Sequence, residues 1–182
     1  MKLLVFSDSH GRMEPMRSVL RKHADTTDAV LHLGDGAAEV LTLRAEFPGL
    51  PIYAVCGNCD SFTYADYGIM EDQLLTVGTH TLYLCHGHRF GVGGGTAALA
   101  AYAAYRGADI ALYGHTHIAD EVYLPDDHDH HPDDSKSGAH PMWILSPGSI
   151  GKPRDDLRPS FGILDITEKG VLFSVGRCTD HP

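Results

Sequence analysis

Short apolar runs alternate with amphipathic segments over the first third of the chain. Residues 2–7, 29–33 and 51–56 are nearly continuous apolar runs with the length of a buried strand. Between them, residues 13–23 and 37–47 place apolar side chains at helical spacing. This strand–helix–strand–helix–strand order predicts a parallel sheet with right-handed crossover connections.

The remaining two thirds of the chain favour antiparallel pairing. Residues 73–77 and 81–85 flank a turn at residues 78–80 and predict a β-hairpin. Further along we expect a flexible glycine-rich loop at 91–95, a helix at 96–105, and strands at 109–113, 121–124, 142–145, 160–166 and 171–176. A chain that begins as α/β and ends as antiparallel β fits two sheets packed face to face with helices outside. We therefore expect an α/β fold in a single domain that spans residues 1–182.

A polar segment rich in aspartate and histidine, at about residues 125–141, separates two of the predicted strands. The ordinary interpretation is a solvated surface loop. The alternative is an accessory metal-binding tract, which short histidine-rich segments can form. No fixed spacing of the histidines is evident, and this favours the loop.

Composition and charge narrow the classes of function. The chain has 182 residues, of which 43% are hydrophobic, and a formal net charge of -10. This acidity argues against binding to nucleic-acid backbone or to an anionic membrane surface. A small phosphorylated substrate stays compatible with it, because bound dications can reverse the local sign. No apolar run approaches the roughly 20 residues of a membrane span, and the N-terminus lacks the core of a signal peptide. We therefore expect a cytoplasmic protein with reduced thiols.

Side chains able to bind metal follow five of the apolar runs, namely Asp8, His10, Asp35, Asn58, His86, His115 and His117. Since ligands bind at the carboxyl ends of strands in open α/β sheets, we expect them to share one edge. In extended geometry residues i and i+2 face the same way, so Asp8 with His10, and His115 with His117, could each reach one metal. Asp35 could bridge two ions roughly 3.5–4 Å apart. Nitrogen and oxygen donors without thiolate suit manganese, iron, cobalt, nickel or zinc better than calcium.

Ordinary explanations compete with each motif taken singly. One such residue alone is more often a cap, a turn residue or a surface histidine, and the chain has 13 histidines. The order and context of all seven favour a shared site. Cys56 and Cys59 form a C-x-x-C that could be a redox pair or half a zinc site, but no second C-x-x-C exists. Residues 91–95 before Thr96 could cradle phosphate at a helix N-terminus, yet they lack the ending of a P-loop.

Five motifs together resemble the calcineurin-like metallophosphoesterases: Asp8-Ser9-His10-Gly11, Gly34-Asp35, Gly57-Asn58-Cys59-Asp60, His86-Gly87-His88 and Gly114-His115-Thr116-His117. The set is most similar to the small single-domain phosphodiesterases, which carry Gly-Asn-Cys-Asp where larger relatives carry Gly-Asn-His-Glu. Ser146-Pro147-Gly148-Ser149, followed by Pro153-Arg154, also resembles that subgroup. The resemblance extends over residues 1–175 and implies a four-layer α/β/β/α sandwich of two mixed sheets flanked by helices.

The resemblance also implies a binuclear metal centre. It assigns the first ion to Asp8, His10, Asp35 and His117, and the second to Asp35, Asn58, His86 and His115. Manganese is the expected metal, with iron, nickel, cobalt or zinc as alternatives. The implied reaction is hydrolysis of a small phosphodiester, in which a hydroxide that bridges both ions attacks phosphorus in line with the leaving group.

Cys59 is a departure from the larger relatives, whose histidine at this position can protonate the leaving group. A thiol with a pKa near 8.5 is a poorer general acid, so we expect esters with good leaving groups to be cleaved best. His88 could substitute as an acid or contact the phosphate, or could merely support its neighbours. Cys59 and His88 are therefore weaker catalytic candidates than Asn58 and His86.

Other functions remain open for this set of motifs. A phosphomonoesterase or a nucleotide pyrophosphatase could share the fold. A protein-interaction scaffold similar to the small subunit of retromer is the alternative from another class. Such scaffolds lose metal ligands, whereas all seven are present here. A homo-oligomer also stays open.

Overall fold

The computed structural model describes residues 1–125, 141–154 and 158–178. The polar segment predicted at 125–141 lies almost entirely outside these residues, so its two interpretations stay predictions. The boundaries of the predicted single domain also stay a prediction.

Ten strands and three α-helices form within the described residues. The strands are β1 (Lys2–Phe6), β2 (Ala29–His32), β3 (Ile52–Ala54), β4 (Asp72–Val77), β5 (His80–Cys85), β6 (Ile110–Leu112), β7 (Ala119–Leu124), β8 (Met142–Pro147), β9 (Ser160–Thr167) and β10 (Gly170–Arg177). The helices are α1 (Met13–His23), α2 (Ala37–Glu46) and α3 (Ala97–Tyr105). Each predicted strand and helix has a counterpart in this order.

Both sheets are mixed and have five strands. The first has the order β10-β9-β1-β2-β3, and its β1, β2 and β3 are parallel, as the alternating pattern predicts. The second has the order β4-β5-β6-β8-β7, with β5, β6 and β8 parallel. The predicted hairpin of β4 and β5 is antiparallel, and so is the pair of β9 and β10.

Three apolar clusters join the layers. Between the sheets, Leu3 and Val5 of the first sheet belong to one buried cluster with Leu84 and Leu112 of the second. The other face of the first sheet packs against α1 and α2, and that of the second sheet packs against α3. Helices therefore cover both outer faces. The predicted four-layer α/β/β/α sandwich is confirmed.

The glycine-rich segment 91–95 differs from the flexible loop that we expected. It contains a 3-10 turn, Val92–Gly94, which directly follows a second one, His88–Phe90. Gly87 and Gly91 have positive φ angles of 101° and 62°, and such backbone is easily adopted by glycine. Gly87 thus precedes the first turn, and Gly91 lies between the two turns. No helix in the described part of the chain is long and apolar enough to cross a membrane, and Cys56, Cys59 and Cys85 carry free thiols.

The packing of the sheets brings five strand ends together. The carboxyl ends of β1, β2 and β3 and those of β5 and β6 lead into adjacent loops. Hydrogen bonds join these loops: within the first sheet the amide of Asp8 donates to the carbonyl of Gly34 at 3.0 Å, and between the sheets the amide of His115 donates to Asp8 Oδ2 at 3.1 Å. The predicted shared edge is therefore made by two sheets together.

Candidate metal centre

Left-handed backbone marks the loops at this edge. In the described ranges, the only residues other than glycine with positive φ angles are Asp8, His10, Asp35, His115 and His117, at 46–70°. All five are predicted metal ligands. Such backbone costs of order 1–3 kcal/mol at each residue and persists only where the surrounding structure enforces it. These costs concentrate on the candidate ligands, which indicates a functional site.

This geometry corrects one step of the sequence argument. Asp8 with His10, and His115 with His117, were expected to face the same way on extended backbone, and this is wrong because all four residues are left-handed. The loop after β1 lies against the loop after β2, because the amide of His10 donates to the carbonyl of Asp35 at 3.0 Å. The members of each pair still approach the centre, but through tight turns.

One donor group comprises Asp8, His10 and His117, whose ligand atoms lie within 4.8 Å of one another. The Nε2 atoms of the two histidines are 3.3 Å apart, and His117 Nε2 lies 3.1 Å from Asp8 Oδ1. Asp8 is fully buried, and its Oδ1 has no hydrogen-bond partner with good geometry among the described residues. A buried carboxylate oxygen that faces two imidazole nitrogens fits a bound cation.

A second donor group comprises Asp8, Asp35 and His86. His86 Nε2 is 3.5 Å from Asp35 Oδ2 and 3.1 Å from the amide oxygen of Asn58. Asp35 Oδ2 also lies 3.7 Å from His10 Nε2 in the first group. Asp35 therefore lies between the groups, as a bridging ligand must.

His115 is close to the centre but outside both donor groups. Its ring centroid is 5.2 Å from that of His86, in an edge-on arrangement, and its backbone amide donates to Asp8 Oδ2 at 3.1 Å. The structure thus brings together six of the seven predicted ligands directly. The imidazole of His115 lies at the border of the second group.

Backbone carbonyls select the tautomers of two histidines. Nδ1 of His86 donates to the carbonyl of Leu33 at 2.7 Å, and Nδ1 of His117 donates to that of Lys152 at 2.6 Å. A proton on Nδ1 leaves the lone pair of Nε2 directed towards the carboxylates. Histidines that bind metals are held in this way by an outer partner.

Charge balance at the centre also favours a cation. Burial opposes ionisation of Asp8, but the contact with His117 and the charge of His86 hold its pKa below the usual value. Burial likewise opposes the charge of Asp35, and His86 and the amide of Cys59 lower its pKa. Burial disfavours the charge of His86, yet Asp35 and Asp8 raise its pKa. Both carboxylates are therefore held in the ionised form, and ionised carboxylates at a buried site favour a positive charge beside them.

The two weaker catalytic candidates flank the centre on different sides. The Cys59 sulfur lies within 4.8 Å of donor atoms of His10 and Asp35, although its side chain is exposed. A hydrogen bond with Asp35, helped by burial, raises the pKa of this thiol. The ring centroid of His88 is 5.5 Å from that of His86, and burial lowers the His88 pKa. Both therefore lie beside residues of the centre.

Asp60 is a functional residue that the sequence argument quoted without giving it a role. Its Oδ2 accepts hydrogen bonds from the backbone amides of Asp35 and Gly57, both at 2.8 Å. Its Oδ1 accepts from the amide of Ala37 at 3.0 Å, and this caps α2. Asp60 therefore fixes the loop that carries Asp35 relative to the loop that carries Asn58. Its place in the Gly-Asn-Cys-Asp motif was the available signal.

A buried polar cluster beneath the loop of Asp8 was also missed. Glu39, in the first turn of α2, accepts hydrogen bonds from the amide of Gly11 and from the Ser9 hydroxyl, the latter at 3.2 Å. The Ser9 hydroxyl also lies 3.2 Å from Nε2 of His32. Together these contacts tie the loop to α2 and to the end of β2. A serine, a histidine and a glutamate so far apart in sequence give no local signal of this contact.

Comparison with known protein families agrees with this geometry. The sequence model of the calcineurin-like phosphoesterase superfamily domain matches residues 1–169. The chain belongs to this superfamily. A probable metallophosphoesterase of Bacillus subtilis, YsnB, is 32% identical over 168 residues, which cover 91% of this chain and 85% of that protein. The resemblance inferred from the motifs is confirmed, and membership supports metal-dependent hydrolysis of phosphoesters.

Solved structures with the same fold include proteins with different roles. An archaeal phosphodiesterase has a TM-score of 0.68 at 23% identity, over 98% of this chain and 100% of its own. Vps29 of Entamoeba histolytica, solved with zinc, has a TM-score of 0.66 at 22% identity, over 97% of this chain and 99% of its own. At these identities the similarity establishes the fold.

Replacement of Gly57 by alanine tests the close packing around Asp35. A Cβ atom at Gly57 would overlap Asp35 Oδ1, whereas one at Gly49 would meet open space. We expect Gly57→Ala to weaken Mn²⁺ binding about 10- to 100-fold, as displacement of a ligand's support typically does. Calorimetric titration checks this, with Gly49→Ala as the matched control. Equal affinities in the two variants would show that this contact does not position Asp35.

The loss of stability at low pH tests whether the pKa of His32, the buried histidine beneath the loop of Asp8, is lowered. Burial lowers the pKa of His32 to about 4, from 6.5. The unfolded chain binds this proton more readily, so stability falls as the pH drops from about 6.5 towards 4. Between pH 7 and pH 5 we expect His32 to cost roughly 2 kcal/mol.

Urea unfolding at both pH values, in the wild type and in His32→Gln, measures this cost. The wild type should lose more stability than the variant, which cannot titrate at this position. Equal losses would contradict the assignment. If the variant does not fold, an NMR titration of His32 in the wild type replaces it, and titration near pH 6.5 would contradict the assignment equally.

Proposed function

We propose that the chain is a binuclear, metal-dependent phosphodiesterase that hydrolyses small phosphodiesters. The observation that carries this proposal is the position of Asp35 between two groups of nitrogen and oxygen donors. Its Oδ2 lies 3.7 Å from Nε2 of His10 and 3.5 Å from Nε2 of His86. A single carboxylate that faces both groups is suited to hold two ions together.

We propose the following assignment of the residues to two ions. Asp8, His10 and His117 would hold the first and Asn58, His86 and His115 the second, with Asp35 shared. Mn²⁺ is our proposal for the metal, and iron, cobalt, nickel and zinc suit the same donors. Bound ions would lower the pKa of water and neutralise the phosphoryl oxygens during in-line attack on phosphorus.

The chain's own residues preset this centre. Leu33 and Lys152 hold the tautomers of His86 and His117 through their carbonyls, and Asp60 holds the amide of Asp35. None of these contacts has to form during the reaction, so little reorganisation is required. The Cys59 thiol and the imidazole of His88 are the candidates for leaving-group contact. Because a thiol is a weak proton donor, we expect esters with good leaving groups to react fastest.

The choice of a diester over other substrates rests on similarity. The archaeal neighbour with the same fold is named as a phosphodiesterase. A monoesterase or a nucleotide pyrophosphatase of this fold would use the same ligands. Vps29 of Entamoeba histolytica was solved with zinc, so metal binding alone does not show that a protein of this fold hydrolyses phosphodiesters. The test must therefore measure turnover.

We expect protein reloaded with Mn²⁺ to hydrolyse bis(p-nitrophenyl) phosphate, and to do so faster than p-nitrophenyl phosphate. Asp35→Asn should lower the rate more than about 100-fold, because it removes the bridging ligand rather than only an outer support. Asp25→Asn is the matched control, since Asp25 is exposed in the 3-10 turn after α1. Initial rates by absorbance at each substrate check the prediction.

Three outcomes would contradict this proposal in different ways. A faster rate on the monoester would replace the diesterase by a monoesterase. Turnover that survives Asp35→Asn would locate the reaction elsewhere. A folded protein without turnover in Mn²⁺, Fe²⁺, Co²⁺, Ni²⁺ or Zn²⁺ would favour the scaffold.

A further inference from the structure

A groove of about 360 Å³ opens directly beside the candidate metal centre. One wall is the 3-10 turn Val92–Gly94, and the other is the start of β7. His115 lines the groove at its inner end, and its ring centroid is 5.2 Å from that of His86. The groove is therefore continuous with the centre.

The groove combines an apolar wall with a fixed acceptor. Val92, Ile118 and Ala119 supply the apolar surface, and Ile118 is 46% exposed. The hydroxyl of Tyr113 donates to Asp120 Oδ2 at 2.7 Å, which holds this carboxylate in place. Ligand pockets commonly pair apolar walls with a few fixed polar groups of this kind. A partly apolar group that carries hydroxyl donors suits this surface.

Arg154 lies where the groove meets the metal centre. It lines the groove, and its backbone amide donates to the carbonyl of His117 at 3.3 Å. Guanidinium groups bind phosphate oxygens well. Arg154 therefore offers a positive charge to a phosphate in a chain whose formal net charge is -10. A phosphate at the centre would thus have a cation at the mouth of the groove.

A second cavity next to the centre is less suited to a phosphoester. It has about 140 Å³ and adjoins His86 and His88. Glu71 and Asp72 line it, and its Arg89 is ion-paired with Glu71. Asp72 is likewise paired with Arg106, so the arginines near this cavity are already engaged by carboxylates. The larger groove beside Arg154 is the better position for the organic part.

We propose that this groove binds one arm of the phosphodiester, a partly apolar group of about nucleoside size that bears hydroxyl groups. Arg154 contacts the phosphate, Asp120 accepts a hydrogen bond from a hydroxyl of the arm, and Ile118 packs on its apolar part. This proposal rests on the proposed function and adds a substrate class to it. Phosphodiesters with one bulky hydroxylated arm are then preferred over simple alkyl ones.

Two substrates with the same leaving group test the groove. Thymidine 5′-(p-nitrophenyl) phosphate carries a bulky hydroxylated arm, whereas methyl p-nitrophenyl phosphate carries almost none. The Mn²⁺-loaded wild type should have the higher kcat/KM on the thymidine ester. Ile118→Trp fills the groove and should lower that value about tenfold, while the value for the methyl ester changes less than about twofold. Leu172→Trp, on exposed β10, is the matched control.

Binding provides a readout that does not require turnover. Thymidine 5′-methylphosphonate is an unreactive anion with the same arm, and calorimetry measures its affinity for each Mn²⁺-loaded protein. We expect Ile118→Trp to weaken this binding about tenfold and Leu172→Trp to leave it unchanged.

The outcomes distinguish a failure of the groove proposal from a failure of the proposed function. If Ile118→Trp affected both esters equally, or left the affinity for the methylphosphonate unchanged, the groove would not bind the substrate arm. The proposed phosphodiesterase activity would not be affected by that result. Loss of affinity in Ile118→Trp without any turnover would support the groove and overturn the proposed function.

Discussion

The buried carboxylate of Asp8 joins the two sheets at one point. Its Oδ2 accepts hydrogen bonds from the Ser7 hydroxyl at 2.5 Å and from the amide of His115, which follows β6 in the other sheet. Its Oδ1 faces His117 and lacks a partner with good geometry among the described residues. A buried carboxylate is costly unless its charge is compensated. The loops of both sheets therefore converge on this group, and the centre they form is suited to cations.

Backbone strain and outer support are two consequences of this convergence. Five candidate ligands adopt left-handed conformations so that loops from both sheets can meet in a small space. Asp60 and Glu39 hold those loops by accepting backbone hydrogen bonds. The strain thus lies at the site, while the groups that compensate it lie in α2 and in the loop after β3. Metal affinity, stability and substrate binding should accordingly respond to residues that never touch an ion.

The sequence predicted the architecture well because periodicity reports on burial. Three buried strands separated by helical segments define a parallel block, and polar residues at strand ends predicted the centre. The left-handed turns were not predictable, since Asp and His adopt positive φ only where distant partners enforce it. The links from Asp60 to Asp35 and from Glu39 to Gly11 depend on packing across the fold. The groove beside Arg154 likewise arises from three segments that are far apart in the chain.

Anomalous diffraction at the manganese edge, on crystals grown with Mn²⁺, tests the binuclear centre most directly. The account predicts two peaks in each chain roughly 3.5–4 Å apart, one beside Asp8, His10 and His117 and one beside Asn58 and His86, with Asp35 contacting both. A single peak, or peaks only at other parts of the chain, would contradict it.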